Sequence, residues 1–384
     1  MDPIIIIGTG IAAYTLAREF RKLDSDTPLQ LISSDDGCSY PKPMLSNALS
    51  KGKTAEQIVL FDAETMAKKL NAEIFSFTKI VAIDSESHAL TTADGKVFNY
   101  SKLVLALGAH VIKIPFAGDA SHDVLSVNDI IDYTIFRKKL TDAKHVTIIG
   151  PGLIGCEFAN DLLNAGFEVS IIGPSEQPMD KLLPKEIAKE LADRLSQLGA
   201  DWHFKTTTKS INKAVNGYLV ELENGITIET DLVLSAVGLR SHIELAEAAG
   251  LDVNRGVVTD SYLQTSAKDI YALGDCAEVS GHNLLFIAPI TAASKSLAQT
   301  LSGSLTVVKY PAMPVTIKTP CYPLVVSPPS NDAQGAWNIE AVESGFGSSR
   351  ALFTDKNKEL LGFVLSGDAV SEKRSLAGQL ADIL

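Results

Sequence analysis

The chain has 384 residues, 46% of them hydrophobic, and its 34 basic and 46 acidic side chains give a net charge of −12. This length allows two or three domains with a sizeable core, and no apolar run approaches the length of a membrane span. Because the acidity also disfavours nucleic acid and anionic lipid, we expect neither nucleic-acid binding nor membrane insertion.

The chain begins with an apolar strand that leads into a glycine-rich turn and a helix. Gly8 permits the tight turn, and Gly10 lets backbone amides approach a pyrophosphate at the helix N-terminus. The helical pattern covers residues 14–23. This first glycine loop supplies five candidate cofactor contacts: Gly8, Thr9, Gly10, Ala12 and Ala13.

A second short strand, residues 29–32, is followed by polar residues that suit a ribose. Ser34, Asp35 and Asp36 all lie about 25 residues beyond the loop, where an acid commonly holds a ribose hydroxyl. Any of the three could make this contact, and we favour Asp35.

The chain then repeats its own plan. A three-strand meander at residues 80–100, with a turn at Asp94–Gly95, closes on a buried strand at 103–108. The second copy has a glycine loop at Gly150, a helix at 156–164, a strand at 169–172, a meander around 224–225 and a closing strand at 232–238. From loop to closing glycine the copies span 100 and 88 residues. The repetition indicates two nucleotide-binding domains of one architecture, each with a parallel sheet.

The second glycine loop has all three glycines of the dinucleotide-binding pattern. Its candidate contacts are Gly150, Gly152, Leu153, Ile154 and Gly155. Gly173 occupies the position expected for the ribose acid, and Glu176 is either its nearest substitute or a solvated charge. Residues 173–180 contain no Lys or Arg to meet a 2′-phosphate, so the sequence favours NADH over NADPH.

A third motif, Tyr-Ala-Leu-Gly-Asp-Cys at residues 271–276, decides which loop holds which cofactor. A short strand delivers Gly274 and Asp275 at its carboxyl end, where ligands of parallel sheets bind. The aspartate can accept a hydrogen bond from a ribityl hydroxyl, which a nicotinamide dinucleotide lacks; alternatively, it caps a following helix.

The order of these motifs resembles the two-dinucleotide flavoprotein reductases, which have the glutathione-reductase-like fold. The resemblance implies an α/β protein with two Rossmann-like domains and a C-terminal α+β interface domain. FAD would bind to residues 1–110 and 234–303, NADH to 111–233, and the interface domain would cover 304–384. In that domain we predict strands at 315–318, 324–327, 337–342, 351–353 and 360–365, and a terminal helix at 371–383.

The cysteines argue against a disulfide reductase. The residues 39–46, which correspond to the redox-active segment of such enzymes, contain no cysteine, and Cys38 stands alone just before them. The four cysteines form no close pair, and Gly8 interrupts the apolar start, so we expect the cytoplasm, no signal peptide and no structural zinc. The seven histidines are scattered, and we assign no metal ligand. Electrons would then leave directly from reduced flavin.

Three further segments narrow the resemblance. Residues 40–46 resemble a segment shared by reductases that pass NADH electrons to rubredoxin or to [2Fe-2S] ferredoxins. Residues 315–324, the Asn-Arg-Gly segment at 254–256 and the Ser-x-Lys-Arg run at 371–374 resemble the rubredoxin reductases and their flavorubredoxin relatives. The implied activity is FAD-dependent transfer of electrons singly from NADH to rubredoxin. Ferredoxin or flavorubredoxin reduction, or a redox-sensing flavoprotein, are the alternatives.

The resemblance also implies roles for individual residues. Lys42 and Pro43 would line the flavin, Ile80 would meet the adenine, and Lys318 would approach the flavin from the interface domain. A helix from Ile287 to about residue 301 would aim its positive end at the flavin pyrimidine. The turns that close the two units add Ala106, Gly108 and Gly238.

Glu157 has two interpretations. In the first, its negative charge interacts favourably with the N-terminal end of the helix dipole. In the second, its carboxylate faces the contact between flavin and nicotinamide and is paired with Lys42, with Lys318 or with no lysine. Asn47 stands where relatives often carry that lysine. For an acidic rubredoxin, Lys356, Lys358, Lys373 and Arg374 are candidate docking residues, and plain solvated surface is the alternative.

Overall fold

A computed structural model of the chain describes residues 2–342 and 347–384. The first parallel sheet is assembled from distant parts of the sequence. Its strands, in spatial order, are Ile270–Ala272, Lys102–Leu105, Ile4–Ile7, Leu29–Ile32 and Glu73–Phe75. Ile4 lies opposite both Leu29 and Lys102, so the first strand is central and fully buried. Its glycine loop therefore leaves the middle of the sheet.

Helices and smaller strands complete this first domain. The helix Ile11–Arg21 packs on Ile287–Leu301 over one face of the sheet. The remaining elements are the meander Ile80–Asp84, Ala89–Thr92 and Val97–Asn99; the parallel pair Val257–Thr259 and Ala277–Val279; the helices Ala55–Ile58, Ala63–Leu70 and Glu244–Ala248; and the 3₁₀ turns Lys42–Ser46 and Gly274–Cys276.

The second domain repeats the plan with a contiguous stretch of chain. Its parallel sheet has the order Ala200–His203, Glu168–Ile172, His145–Ile149 and Leu232–Ser235. The helices are Ile130–Lys139, Leu153–Asn164 and Lys185–Gln197, with 3₁₀ turns at Ser121–Asp123 and Leu140–Asp142, and the meander is Thr208–Lys213, Tyr218–Leu222 and Thr227–Thr230. The strand Leu232–Ser235 runs two residues past the domain boundary placed at 233/234.

Two short strands connect these domains. Ala109–Val111 leads into the second domain, Leu239–Ser241 leads back, and the two pair antiparallel. Both helices that follow a glycine loop begin about three residues earlier than the sequence pattern predicted, because Gly10 and Gly152 are themselves the N-cap residues.

The interface domain is an antiparallel sheet of five strands. Their spatial order is Val315–Ile317, Leu324–Ser327, Leu360–Ser366, Ser348–Thr354 and Ala336–Val342. Ile317, Tyr322 and Leu324 share one buried cluster with Leu45 of the first domain and with the second domain. The interface domain therefore closes over the junction of the other two.

The predicted terminal helix at 371–383 is wrong in its extent. The structure has a 3₁₀ turn, Gly367–Glu372, and a single helical turn and a half, Lys373–Ala377. After a turn at residues 378–380 the chain has no regular secondary structure: Ile383 donates its amide to the carbonyl of Tyr310, and the amide of Tyr310 donates to the carbonyl of Leu384. Because these last side chains pack on the core of the first domain, burial overrides the helical pattern.

Within residues 2–342 and 347–384, no helix combines the length and the apolar character that crossing a bilayer requires.

Candidate functional site

Both glycine loops are built so that no side chain fits at their first glycine. Gly8 has φ +120°, and a Cβ there would lie 2.4 Å from the carbonyl oxygen of Ala106. Gly150 has φ +110°, and its Cβ would lie 2.6 Å from the carbonyl oxygen of Ala236. Each loop is thus pressed against the end of the neighbouring parallel strand, which is the geometry of a dinucleotide cradle.

The helices that follow have free positive ends. Gly10 and Gly152 cap them without any side-chain hydrogen bond, and neither helix has an acid in its first turn. A Cβ at either glycine would meet nothing within 4 Å. The first backbone amides therefore point into open space, where a pyrophosphate would satisfy them.

Polar side chains brace the first loop. The Thr9 hydroxyl lies 2.9 Å from that of Ser33 and 3.0 Å from Asp35 Oδ1, which also accepts from the amide of Gly37. Ser34 and Asp35 are exposed beside the loop, consistent with a ribose contact. Ser33, which the sequence analysis did not select, is buried and connects the loop to the second strand.

Beside the second loop, steric hindrance explains why no acid stands at the position expected to bind the ribose. A Cβ at Gly173 would lie 2.3 Å from the ring of Pro151, so no acidic side chain fits there. Glu176, farther along, forms an exposed ion pair of 2.7 Å with Lys205. Residues 173–180 contain no Lys or Arg that could meet a 2′-phosphate, but folding brings Lys205 to this loop.

Asp275 presents a buried acceptor at the end of its strand. Gly274 has φ +80°, and the Oδ1 atom of Asp275 is buried with no hydrogen-bond partner in the structure. Burial raises the pKa of this carboxyl above its usual range, while the charge of Lys42 opposes the rise. An orphaned acceptor beside the first loop fits a hydroxyl donor such as a flavin's ribityl chain.

Lys42 lies close enough to Asp275 for their charges to interact. Its ammonium group donates to Asn128 Oδ1 at 2.9 Å, and the amide group of Asn128 donates to the carbonyl of Ala109 at 2.8 Å. Burial lowers the pKa of Lys42, and the charge of Asp275 is the largest effect in the opposite direction. Pro43 follows it in the 3₁₀ turn Lys42–Ser46.

Glu157 is 1% exposed and is the point where all three domains meet. Its carboxylate accepts from the Ser46 hydroxyl at 2.7 Å, from the backbone amide of Lys318 at 2.9 Å, and from the Lys318 ammonium group. The lysine partner that the sequence left open is therefore Lys318 and not Lys42. Glu157 lies in the second helical turn, beyond the first-turn positions where a helix dipole acts most strongly.

One turn farther along the same helix, Asp161 makes a second junction. It accepts from the amides of Leu49 and Ser50 and from the Ser50 hydroxyl, at 3.0, 2.9 and 2.5 Å. Asp161 was not among the site residues predicted from the sequence. The available signal was two acids four residues apart in a helix that is otherwise apolar except for Asn160 and Asn164, which indicates buried polar partners.

The other predicted residues are distributed around this region. Ile80 is buried at the start of its strand, and Ile287 begins its helix with 39% of its surface exposed. Gly108 and Gly238 both have positive φ next to the connecting strands. The docking candidates separate: Lys356 and Lys358 lie in a hairpin turn, whereas Lys373 donates to the Thr316 hydroxyl near Lys318.

Comparisons with known proteins agree with this architecture. A family model described as pyridine nucleotide-disulphide oxidoreductase matches residues 2–299, and one described as a rubredoxin binding C-terminal domain matches residues 307–380. A protein named rubredoxin-NAD(+) reductase from Alcanivorax borkumensis is 47% identical over 385 residues, covering 100% of both chains. One of the same name from Acinetobacter baylyi is 46% identical over 381 residues, covering 97% of this chain and 96% of its own.

Among solved structures, a ferredoxin reductase from Rhodopseudomonas palustris superposes with a TM-score of 0.89. It is 26% identical and covers 99% of this chain and 96% of its own.

The two later glycines of the second loop should respond differently to alanine. A Cβ at Gly155 would lie 1.9 Å from the carbonyl oxygen of Gly150, so Gly155→Ala should lower the free energy of unfolding by about 1–3 kcal/mol. Gly152→Ala should cost under about 1 kcal/mol in stability yet weaken dinucleotide binding, because the methyl group blocks the pyrophosphate. Denaturation and NADH titration measure both; equal stability of the two variants would contradict the predicted clash.

Asp275→Asn should show the cost of the orphaned carboxylate. Since the folded-state pKa is raised, the wild type loses stability as pH rises from the unfolded pKa through the folded one. The flavin-free variant should therefore gain stability relative to wild type between about pH 4 and pH 7. Its flavin affinity should fall by about tenfold or more.

Urea unfolding across this pH range measures the difference, with the exposed Asp180→Asn as the control variant. A difference that is independent of pH would contradict the argument.

Proposed function

We propose, from the premise that this chain belongs to the pyridine nucleotide-disulphide oxidoreductase family, that it oxidises NADH and passes the electrons singly through bound FAD to rubredoxin. The observation that carries the proposal is the interface domain. Residues 307–380 match a rubredoxin-binding domain, and the same domain contributes Lys318 to the junction with Glu157. An acceptor docked on it would approach the place where both cofactors converge.

The cysteines support direct exit of electrons from the flavin. Burial raises the pKa of Cys38, Cys276 and Cys321 to about 11, and that of Cys156 even further. Redox-active thiols have lowered pKa values instead, because the thiolate is the reactive form. These four free thiols are therefore protonated at neutral pH and unsuited to a disulfide relay.

The chain's own residues would bind and orient the cofactors. The chemistry that bound FAD would supply is the uptake of one hydride, with its two electrons, from NADH and the release of those electrons one at a time. Asp275 would accept from its ribityl hydroxyl, Lys42 would place positive charge near the ring, and the helix Ile287–Leu301 would add its positive end. Glu157, fixed by Ser46 and Lys318, would hold the helix Leu153–Asn164, which would bind the nicotinamide dinucleotide, against the segment Lys42–Ser46 beside the flavin.

Two finer features belong to the proposal. NADH is favoured over NADPH because residues 173–180 contain no Lys or Arg, and Lys205, which folding brings to this loop, already pairs with Glu176. The unpaired cysteines suit the cytoplasm, where thiols remain reduced.

The decisive experiment compares acceptors. NADH-dependent reduction of cytochrome c should require added rubredoxin, and a [2Fe-2S] ferredoxin should replace it poorly. Anaerobic NADH should bleach the bound flavin within the time of a turnover; bleaching over hours would indicate a sensory flavoprotein and sink the reductase proposal. Equal rates with ferredoxin would overturn the assignment of rubredoxin.

Lys318→Ala should leave Glu157 buried without its counter-ion. Because Lys318 is partly exposed and the two hydrogen-bond donors remain, we expect a loss of about 1–3 kcal/mol in stability, together with slower flavin reduction. Lys318→Arg should retain most of both properties. Thermal unfolding and stopped-flow reduction by NADH measure them.

The double variant Lys318→Ala, Glu157→Gln should recover part of the lost stability, because it removes the unpaired charge. The exposed Lys309→Ala, in the same domain, serves as the matched control. Strictly additive effects of the two substitutions would show that the pair is not coupled.

A further inference from the structure

The two connecting strands bring together side chains that are far apart in the sequence. Ala109 lies opposite Ser241 and His110 opposite Arg240 in the antiparallel pair that links the nucleotide-binding domains. His242 follows the second strand, and its amide donates to the carbonyl of Gly108 at 3.0 Å. This hydrogen bond extends the pairing by one residue and places the imidazole of His242 beside that of His110.

The two imidazoles already have the spacing of metal ligands. Their Nδ1 atoms are 3.3 Å apart. In tetrahedral coordination with bonds of about 2.0–2.1 Å, two donor atoms are separated by about 3.3 Å. The rings are tilted by 53° and do not stack, so both nitrogen atoms can face a common point.

A carboxylate completes the group. Glu244 Oε2 lies 3.6 Å from Nδ1 of His242, and Oε1 lies 4.0 Å from Nδ1 of His110. All three side chains can place one ligand atom within 4.8 Å of the others. The glutamate side chain is 66% exposed, so few neighbouring atoms oppose a change of rotamer that brings its carboxylate to the metal.

We propose that His110, His242 and Glu244 form a binding site for a divalent transition metal of the zinc type, which staples the two connecting strands together. Two imidazoles and one carboxylate suit Zn²⁺, Ni²⁺ or Cu²⁺, whereas Mg²⁺ and Ca²⁺ prefer oxygen ligands throughout. The three side chains are partly exposed, which leaves a coordination position open to water. No sequence pattern indicated the site, because its two histidines are separated by 132 residues.

Short chains of hydrogen bonds would connect this metal site to the proposed cofactor site. The carbonyl of Ala109, next to His110, accepts from Asn128, which in turn holds Lys42. The hydroxyl of Ser241, next to His242, donates to the backbone carbonyl of Asp275 at 2.6 Å. A bound metal would therefore restrain the connection between the domains and slow the reduction of the flavin by NADH. This consequence rests on the proposed function, whereas the binding does not.

Calorimetric titration of the flavin-loaded protein with ZnCl₂ tests the binding. We expect one equivalent to bind, and His110→Ala and His242→Ala each to weaken binding by at least about tenfold. Glu244→Gln should weaken it less, because the exposed carboxylate is replaceable by water. MgCl₂ should produce no binding, and His122→Ala, which removes an exposed histidine elsewhere, should bind zinc as the wild type does.

The double variant His110→Ala, His242→Ala decides the matter. Its flavin spectrum and unfolding temperature in EDTA should match those of the wild type, and added zinc should no longer raise the unfolding temperature. Undiminished zinc binding by this folded variant, or no binding by the wild type, would overturn the proposal.

Zinc should also slow flavin reduction by NADH in the wild type and not in the double variant. If NADH reduces neither protein, the proposed function fails while the zinc titration still stands. If zinc slows both proteins equally, the coupling of the site to the flavin is wrong.

Discussion

The architecture depends on a buried carboxylate that accepts three hydrogen bonds from two other parts of the chain. A charge removed from water is tolerated only when it is paired and hydrogen-bonded. Glu157 meets this condition with Ser46 from the first domain and with both the amide and the ammonium group of Lys318 from the interface domain. Asp161 repeats the arrangement one turn away. Because leaving either carboxylate unpaired is costly, Glu157 and Asp161 fix the helix Leu153–Asn164 against residues 46–50, and Glu157 also fixes it against the interface domain.

The two glycine loops solve the same steric problem and then diverge. Each loop presses its first glycine onto the neighbouring strand and opens a free helix end toward a phosphate. The first loop is tied to its second strand by Thr9 and Ser33, a braced arrangement that suits a cofactor that stays bound. In the second, Pro151 packs on Gly173 and excludes an acid there, which leaves a more open surface for a dinucleotide that comes and goes.

The local sequence pattern was sufficient to predict those parts of the fold that depend on short-range interactions. The glycine loops and the meanders follow from short-range rules, and the structure has them where the pattern predicted. Contacts between distant residues could not be read in this way. Lys318 as the partner of Glu157, Lys205 beside Glu176 and the pairing of the chain end with Tyr310 each depend on how whole domains pack. The predicted extent of the terminal helix was wrong for the same reason, since the burial of Ile383 and Leu384 stabilises the chain more than their helical propensity would.

The order of strands in the first sheet has a consequence for the newly made chain. The strand Ile270–Ala272 pairs with Lys102–Leu105, and the helix Ile287–Leu301 covers the helix behind the first glycine loop. All strands of the second sheet, by contrast, lie between His145 and Ser235. During synthesis the second domain can therefore fold before the first domain, because the edge strand Ile270–Ala272 of the first sheet is made later. The surroundings of the first glycine loop are completed only when Asp275 and that helix have emerged.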